Sequence, residues 1–188
     1  MSNTPTISKN PPHLEALFEQ LDPPKPKVII AVDATASRQP TWDMAAKLMA
    51  EMFRAAAANG GLELQLIHYR GERECVASRW MSDARALTAA MTSVRCAAGP
   101  TQIGRVLAHA HTENRRSNIA AVVLVSDACE EDPTELYAAA RQLVSVPVFL
   151  FQEGADEWVT TVYHTIAAIT GGRAAGLMSG LRRGLRIY

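Results

Sequence analysis

Lys27-Val-Ile-Ile-Ala-Val-Asp33-Ala-Thr35-Ala-Ser37 is the stretch on which the fold turns. Residues 28–32 are an apolar run with β-branched members and no polar alternation. That pattern predicts a strand covered on both faces, as in parallel sheets. The run stops at Asp33, and small and polar residues take over. A carboxylate at the end of a buried strand needs a partner, because burying it alone is costly. Thr35 and Ser37 follow with single alanines between, so alternate side chains are able to face one point.

The segments on either side extend the pattern. Apolar residues at 44, 48, 52 and 55 predict a helix over 42–58, stopped by Asn59-Gly60-Gly61. Leu62, Leu64 and Leu66 alternate with polar residues as a strand, Tyr69-Arg70-Gly71-Glu72 reads as a turn, and residues 74–80 return as a charged antiparallel edge strand. A short helix is expected from Asp83 to Val94, and a second opens after Gly99-Pro100-Thr101, with Ile103, Val106, Leu107 and Ala110 inward. Residues 120–125 are the most hydrophobic strand, hence the sheet centre, and end at Ser126-Asp127. Pro133 opens another helix, with Leu136, Ala140, Leu143 and Val144 facing the core. A strand at 146–151, a helix marked by Trp158, Val162, Ile166 and Ile169 and stopped by Gly171-Gly172, and a short strand at 173–177 complete the series. Strands alternating with helices predict an α/β class: a doubly wound, mostly parallel central sheet with one antiparallel edge strand and helices on both faces. The organisation expected is a Pro-rich N-terminal arm at 1–26, one domain over 27–177, and an Arg-rich tail at 178–188.

Composition narrows the functional classes. Of 188 residues, 48% are apolar, enough for one full core. Lys plus Arg and Asp plus Glu balance at 19 each, so no electrostatic footprint for nucleic acid or an anionic membrane is expected. Cys75, Cys96 and Cys129 are odd in number and widely spaced, which suits neither a disulfide framework nor a zinc site. With no signal-like apolar core near the N-terminus, the expectation is a cytoplasmic setting.

Ligands of open parallel sheets sit beyond the carboxyl ends of the strands. The first strand delivers Asp33, Thr35 and Ser37 there; the strand at 120–125 delivers Ser126 and Asp127, with Glu130, Glu131 and Asp132 behind; the loop before the Ile103 helix delivers Thr101. Hard oxygen donors of this kind suit Mg²⁺, Mn²⁺ or Ca²⁺.

Asp33-Ala-Thr35-Ala-Ser37 resembles the D-x-S/T-x-S signature of the metal-ion-dependent adhesion site (MIDAS) in von Willebrand factor type A-like (VWA) domains. Gly99-Pro100-Thr101 with Ile103-Gly104 resembles the second element of that site, and Val-Leu-Val-Ser126-Asp127 the third. The similarity spans roughly residues 27–177 and is nearest to small single-domain bacterial members. The resemblance implies metal contacts from Thr35, Ser37 and Thr101, with Asp33 and Asp127 acting through water. It implies one divalent cation, Mg²⁺ first with Mn²⁺ and Ca²⁺ as alternatives, and a protein partner that supplies an Asp or Glu; no catalytic residue is implied. The family has Ser where Thr35 stands, and it closes with a helix for which the residues after 177 offer little room.

Each candidate also has a plainer reading. Thr101 suits a helix cap, Ser37 a turn, and Asp127 the end of a strand. Glu130, Glu131 and Asp132 read as a solvated acidic helix start. His109 and His111 lie two apart on a helix and do not converge. Two other functions have partial support in the sequence. One is a hydrolase using Cys129 and Asp33, distantly similar to isochorismatase-type enzymes but lacking any Lys after Lys47. The other is a VWA-fold scaffold that binds no metal.

Overall fold

The computed structural model describes residues 25–38, 51 and 61–177. The helix expected over 42–58, the N-terminal arm and the C-terminal tail therefore lie outside the described residues, apart from Glu51 and the last two residues of the arm, Lys25 and Pro26. Six strands form one sheet: β1 (Lys27–Asp33), β2 (Glu63–Arg70), β3 (Glu74–Ala77), β4 (Ala121–Ser126), β5 (Val148–Glu153) and β6 (Arg173–Leu177). Their order is β3-β2-β1-β4-β5-β6. Every pairing is parallel except β2 with β3, which is antiparallel at the edge. The fold class expected from the sequence is the one observed.

Four helices are described: α1 (Ala84–Ser93), α2 (Ile103–Ser117), α3 (Pro133–Arg141) and α4 (Glu157–Thr170). Alternation along the central strands sends side chains to two cores. Ile29, Ala31, Val122, Leu124, Val148 and Leu150 meet α2, α3 and α4 on one face. Ile30, Val32, Leu64 and Leu66 meet Leu87 and Met91 of α1 on the other. On that second face Phe151 and Leu177 are only partly buried.

Local chemistry sets the element ends. Asp83, Asp132 and Asp156 each accept a backbone N–H at the start of α1, α3 and α4, which satisfies donors that the first turn leaves orphaned. Gly171 ends α4 in the left-handed region at φ 73°, a conformation cheap only for glycine.

Some boundaries differ from the sequence-based expectation. Tyr69 and Arg70 belong to β2, and the turn is 71–73. The fifth strand runs 148–153 rather than 146–151, because 142–145 form a turn after α3. That turn breaks the helical projection: Leu143 still reaches the core, whereas Val144 is 69% exposed. Trp158 lies one position off the buried stripe of α4, which runs through Val159, Val162, Tyr163, Ile166, Ala167 and Thr170; Trp158 is 55% exposed.

Candidate metal site

The chain direction reverses between β1 and β4. From β1 the chain goes on to β2 on one side, and from β4 to β5 on the other, so their carboxyl ends flank a switch-point crevice. The register pairs Val32 with Val125 and Asp33 with Tyr69. One further step sets Asp33 beside Ser126. Ser126 Oγ donates to Asp33 Oδ2 at 2.6 Å, and the Thr35 amide donates to Oδ1 at 2.8 Å. Asp33 is fully buried. Burial pushes its carboxyl pKa above the ordinary 3.8, and nearby Asp127 adds to the rise, while the bonds from Ser126 and Thr35 pull the other way. The buried Tyr69 and Tyr163 border the same group, and burial likewise raises the pKa of both phenols.

Beyond Asp33 the chain enters a 3-10 turn at Ala36–Arg38. Thr35 is buried, Ser37 is exposed, and their hydroxyls lie 3.1 Å apart. The loop carrying Thr101 is tied to this one by Ala97 N donating to the Ala34 carbonyl at 3.0 Å. Gln102 anchors it from the other side, its side-chain amide donating to the carbonyls of Arg70 and Gly71 at 3.1 and 3.0 Å. Thr35, Ser37, Gly99, Thr101, Ala128 and Glu130 line a cleft of about 240 Å³.

Asp127 lies between Ser126, which bonds Asp33, and Ala128, which lines the cleft. Its Oδ1 is buried and has no hydrogen-bond donor among the described residues. Buried polar atoms are paired in the great majority of cases, and a buried carboxylate oxygen without a donor is a place for a cation. Donor chemistry agrees: hydroxyls of Thr35, Ser37 and Thr101 with carboxylates of Asp33 and Asp127 form a hard-oxygen set. Among the described residues no three His, Cys, Asp or Glu side chains group closely enough to hold a metal by themselves. A site here rests on the hydroxyls as well.

The acidic run after Asp127 is a solvated helix start only in part: Glu130 and Asp132 are exposed, but two of the three acids bond another loop. Asp132 does cap α3, through Thr134 N at 2.7 Å. Glu131 instead reaches across to α2, accepting from Ile103 N at 2.6 Å and Gly104 N at 2.8 Å. Glu130 and Thr101 bond reciprocally: Thr101 N donates to Glu130 Oε2 at 2.7 Å, and Glu130 N to Thr101 Oγ1 at 3.1 Å. The plain reading of Thr101 as the cap of α2 fails for the same reason. Gln102 holds the cap position without a side-chain bond, and Glu131 supplies the anion. Nothing in local periodicity announces these cross-loop bonds; two acids directly before an Asp-Pro helix start were the available signal.

His109 bonds Gln65 at 2.8 Å and His111 the Gln142 carbonyl at 3.2 Å, so the two diverge as expected. Cys129 is buried, and burial with the neighbouring Glu131 charge pushes its thiol up to about 11.

Gly99 shows how closely the loops pack. A Cβ built there would lie 2.3 Å from the backbone of Gly71. Gly99→Ala is therefore expected to displace the Thr101 loop and cost about 1–3 kcal/mol. A melting-temperature loss of about 3 °C or more is the readout.

No family model matches the chain, and no curated protein matches it. Solved structures do. The VWA domain of SpRpn10 superposes with a TM-score of 0.64 at 13% identity, over 84% of this chain and 90% of that one. The von Willebrand factor domain of the type V pili tip protein Mfa5 from Porphyromonas gingivalis gives 0.59 at 10% identity, over 81% and 90%. The chain has the von Willebrand factor type A fold. The ArnB paralog VWA2 from Sulfolobus acidocaldarius is a further VWA match, with a TM-score of 0.56 at 11% identity over 83% of this chain and 42% of that one. At such identities the likeness concerns the fold, and any function must rest on this chain's own residues. Among those described, no helix is long and apolar enough to cross a membrane.

Proposed function

We propose that this VWA-fold domain is a divalent-metal-dependent protein-interaction module. The observation that carries the reading is the buried, donorless Oδ1 of Asp127 beside a cleft lined by Thr35, Ser37 and Thr101. Those three hydroxyls would hold Mg²⁺, with Mn²⁺ or Ca²⁺ as alternatives, and Asp127 would face it. Asp33, with both oxygens bonded to the chain, would fix the first loop and act through water. A bound divalent ion supplies an electrophilic centre able to accept a carboxylate from outside. The partner is accordingly a protein offering Asp or Glu.

A hydrolase built on Cys129 and Asp33 is the weaker reading. The thiol's raised pKa leaves little thiolate near neutrality, and the thiolate is the nucleophile. No described lysine follows Lys27 in the chain. Affinity capture tests the interaction reading. A partner retained by wild type in Mg²⁺ is expected to be lost with chelator and lost equally with Asp33→Ala. Retention in both conditions by both proteins would overturn it.

A further inference from the structure

Three acids follow Asp127, and the structure gives them different employment. Glu131 spends both oxygens on the Ile103 and Gly104 amides at the start of α2. Asp132 is spent on the first turn of α3. Glu130 is exposed and lines the cleft beside Thr35, Ser37 and Thr101. Its bond to Thr101 N uses Oε2, and its own amide is held by Thr101 Oγ1. One bond to the carboxylate and one from the backbone amide hold Glu130 against the very residue that would contact the ion.

We infer that Glu130 is an in-chain carboxylate ligand, occupying the position a partner's acid would take, so that a partner binds by displacing it. The inference rests on the metal-site reading above and extends it to regulation. Its basis is charge. Asp33 and Asp127 together already balance a divalent ion; Glu130 makes the group net negative, and a fourth carboxylate is repelled unless one leaves. Displacement is cheap because Glu130 is solvent-exposed and its loop is held independently by Glu131. The resting site would thus hold its ion firmly and decline stray carboxylates, opening only to a partner with enough surrounding contact to compete.

Mn²⁺ binding followed by water-proton relaxation tests this in the intact chain. Glu130→Gln keeps an acceptor for the Thr101 amide, so the loop is retained; Glu130→Ala serves if the first variant folds poorly. Expected are Mn²⁺ affinity lower by about tenfold, one additional rapidly exchanging water on the bound ion, and displacement of that water by acetate at lower concentration than in wild type. Equal affinity and equal hydration in wild type and variant would overturn the inference while leaving the metal site standing. Absence of Mn²⁺ binding in wild type would overturn both.

Discussion

Adding Mg²⁺ to the wild-type protein is expected to raise its melting temperature by about 5–10 °C, and Asp33→Asn is expected to abolish that rise. The magnitude follows from linkage. An ion bound only by the native state at a hundredfold excess over its dissociation constant adds about 2.7 kcal/mol, and a chain of this length gains about 2–4 °C per kcal/mol. Asn retains an oxygen to accept the Thr35 amide and an amide that Ser126 Oγ is able to accept from, so the variant keeps the loop. It removes the charge.

The same substitution separates metal binding from stability without metal. Burial raises the Asp33 pKa, so between the ordinary 3.8 and its folded value the native state binds more protons than the unfolded chain. Stability from this group is therefore present at low pH and lost as pH rises through the folded pKa. In chelator, the wild type should lose stability across that window relative to Asp33→Asn, and the variant should be at least as stable at neutral pH. With Mg²⁺ the order should reverse, because only the ionised carboxylate favours the ion. Denaturant titrations at a series of pH values read both effects.

The second large effect is expected at Glu131. Glu131→Ala strands the Ile103 and Gly104 amides at the start of α2, which donate to no other described side chain, and removes an anion from the positive end of that helix. Charge-assisted bonds of this kind contribute about 1.5–3 kcal/mol each, reduced here because the side chain is partly exposed. A loss of about 2–4 kcal/mol is expected, or roughly 4–16 °C at the conversion used above. Glu131→Gln, which keeps one acceptor, should fall between. If Glu131 were a solvated surface acid, both variants would melt within about 0.5 kcal/mol of wild type. Because the same bonds hold the Thr101 loop against the Asp127 loop, the alanine variant should also lose much of its Mg²⁺ response.

The fold was legible in the sequence because it is written in buried strands. Val28–Val32 and Ala121–Val125 are apolar throughout, and such runs have few other uses in a chain with helical stripes between them. The place of residues 120–125 inside the sheet and the antiparallel edge followed. Errors fell where a turn replaces a helical projection, as at Val144, or where a first-turn residue lies just off the stripe, as at Trp158. The candidate site was legible as a set of residue types at strand ends, and the register of β1 against β4 explains why Asp33 meets Ser126. The employment of Glu130 and Glu131 was not legible. Both act across a gap of about 28 residues on backbone amides, and a contact with backbone leaves no pairing of residue types to read.

We propose that Thr35, Ser37 and Thr101, with Asp33 and Asp127 behind them, hold one divalent ion. Crystals grown with saturating Mn²⁺ and measured for anomalous scattering test it most directly. A single strong peak is expected in the cleft bounded by those three hydroxyls, absent in Asp33→Ala crystals grown alike. A well-ordered cleft with no peak at saturating Mn²⁺ would contradict it, and the domain would then be a VWA-fold scaffold that works without metal.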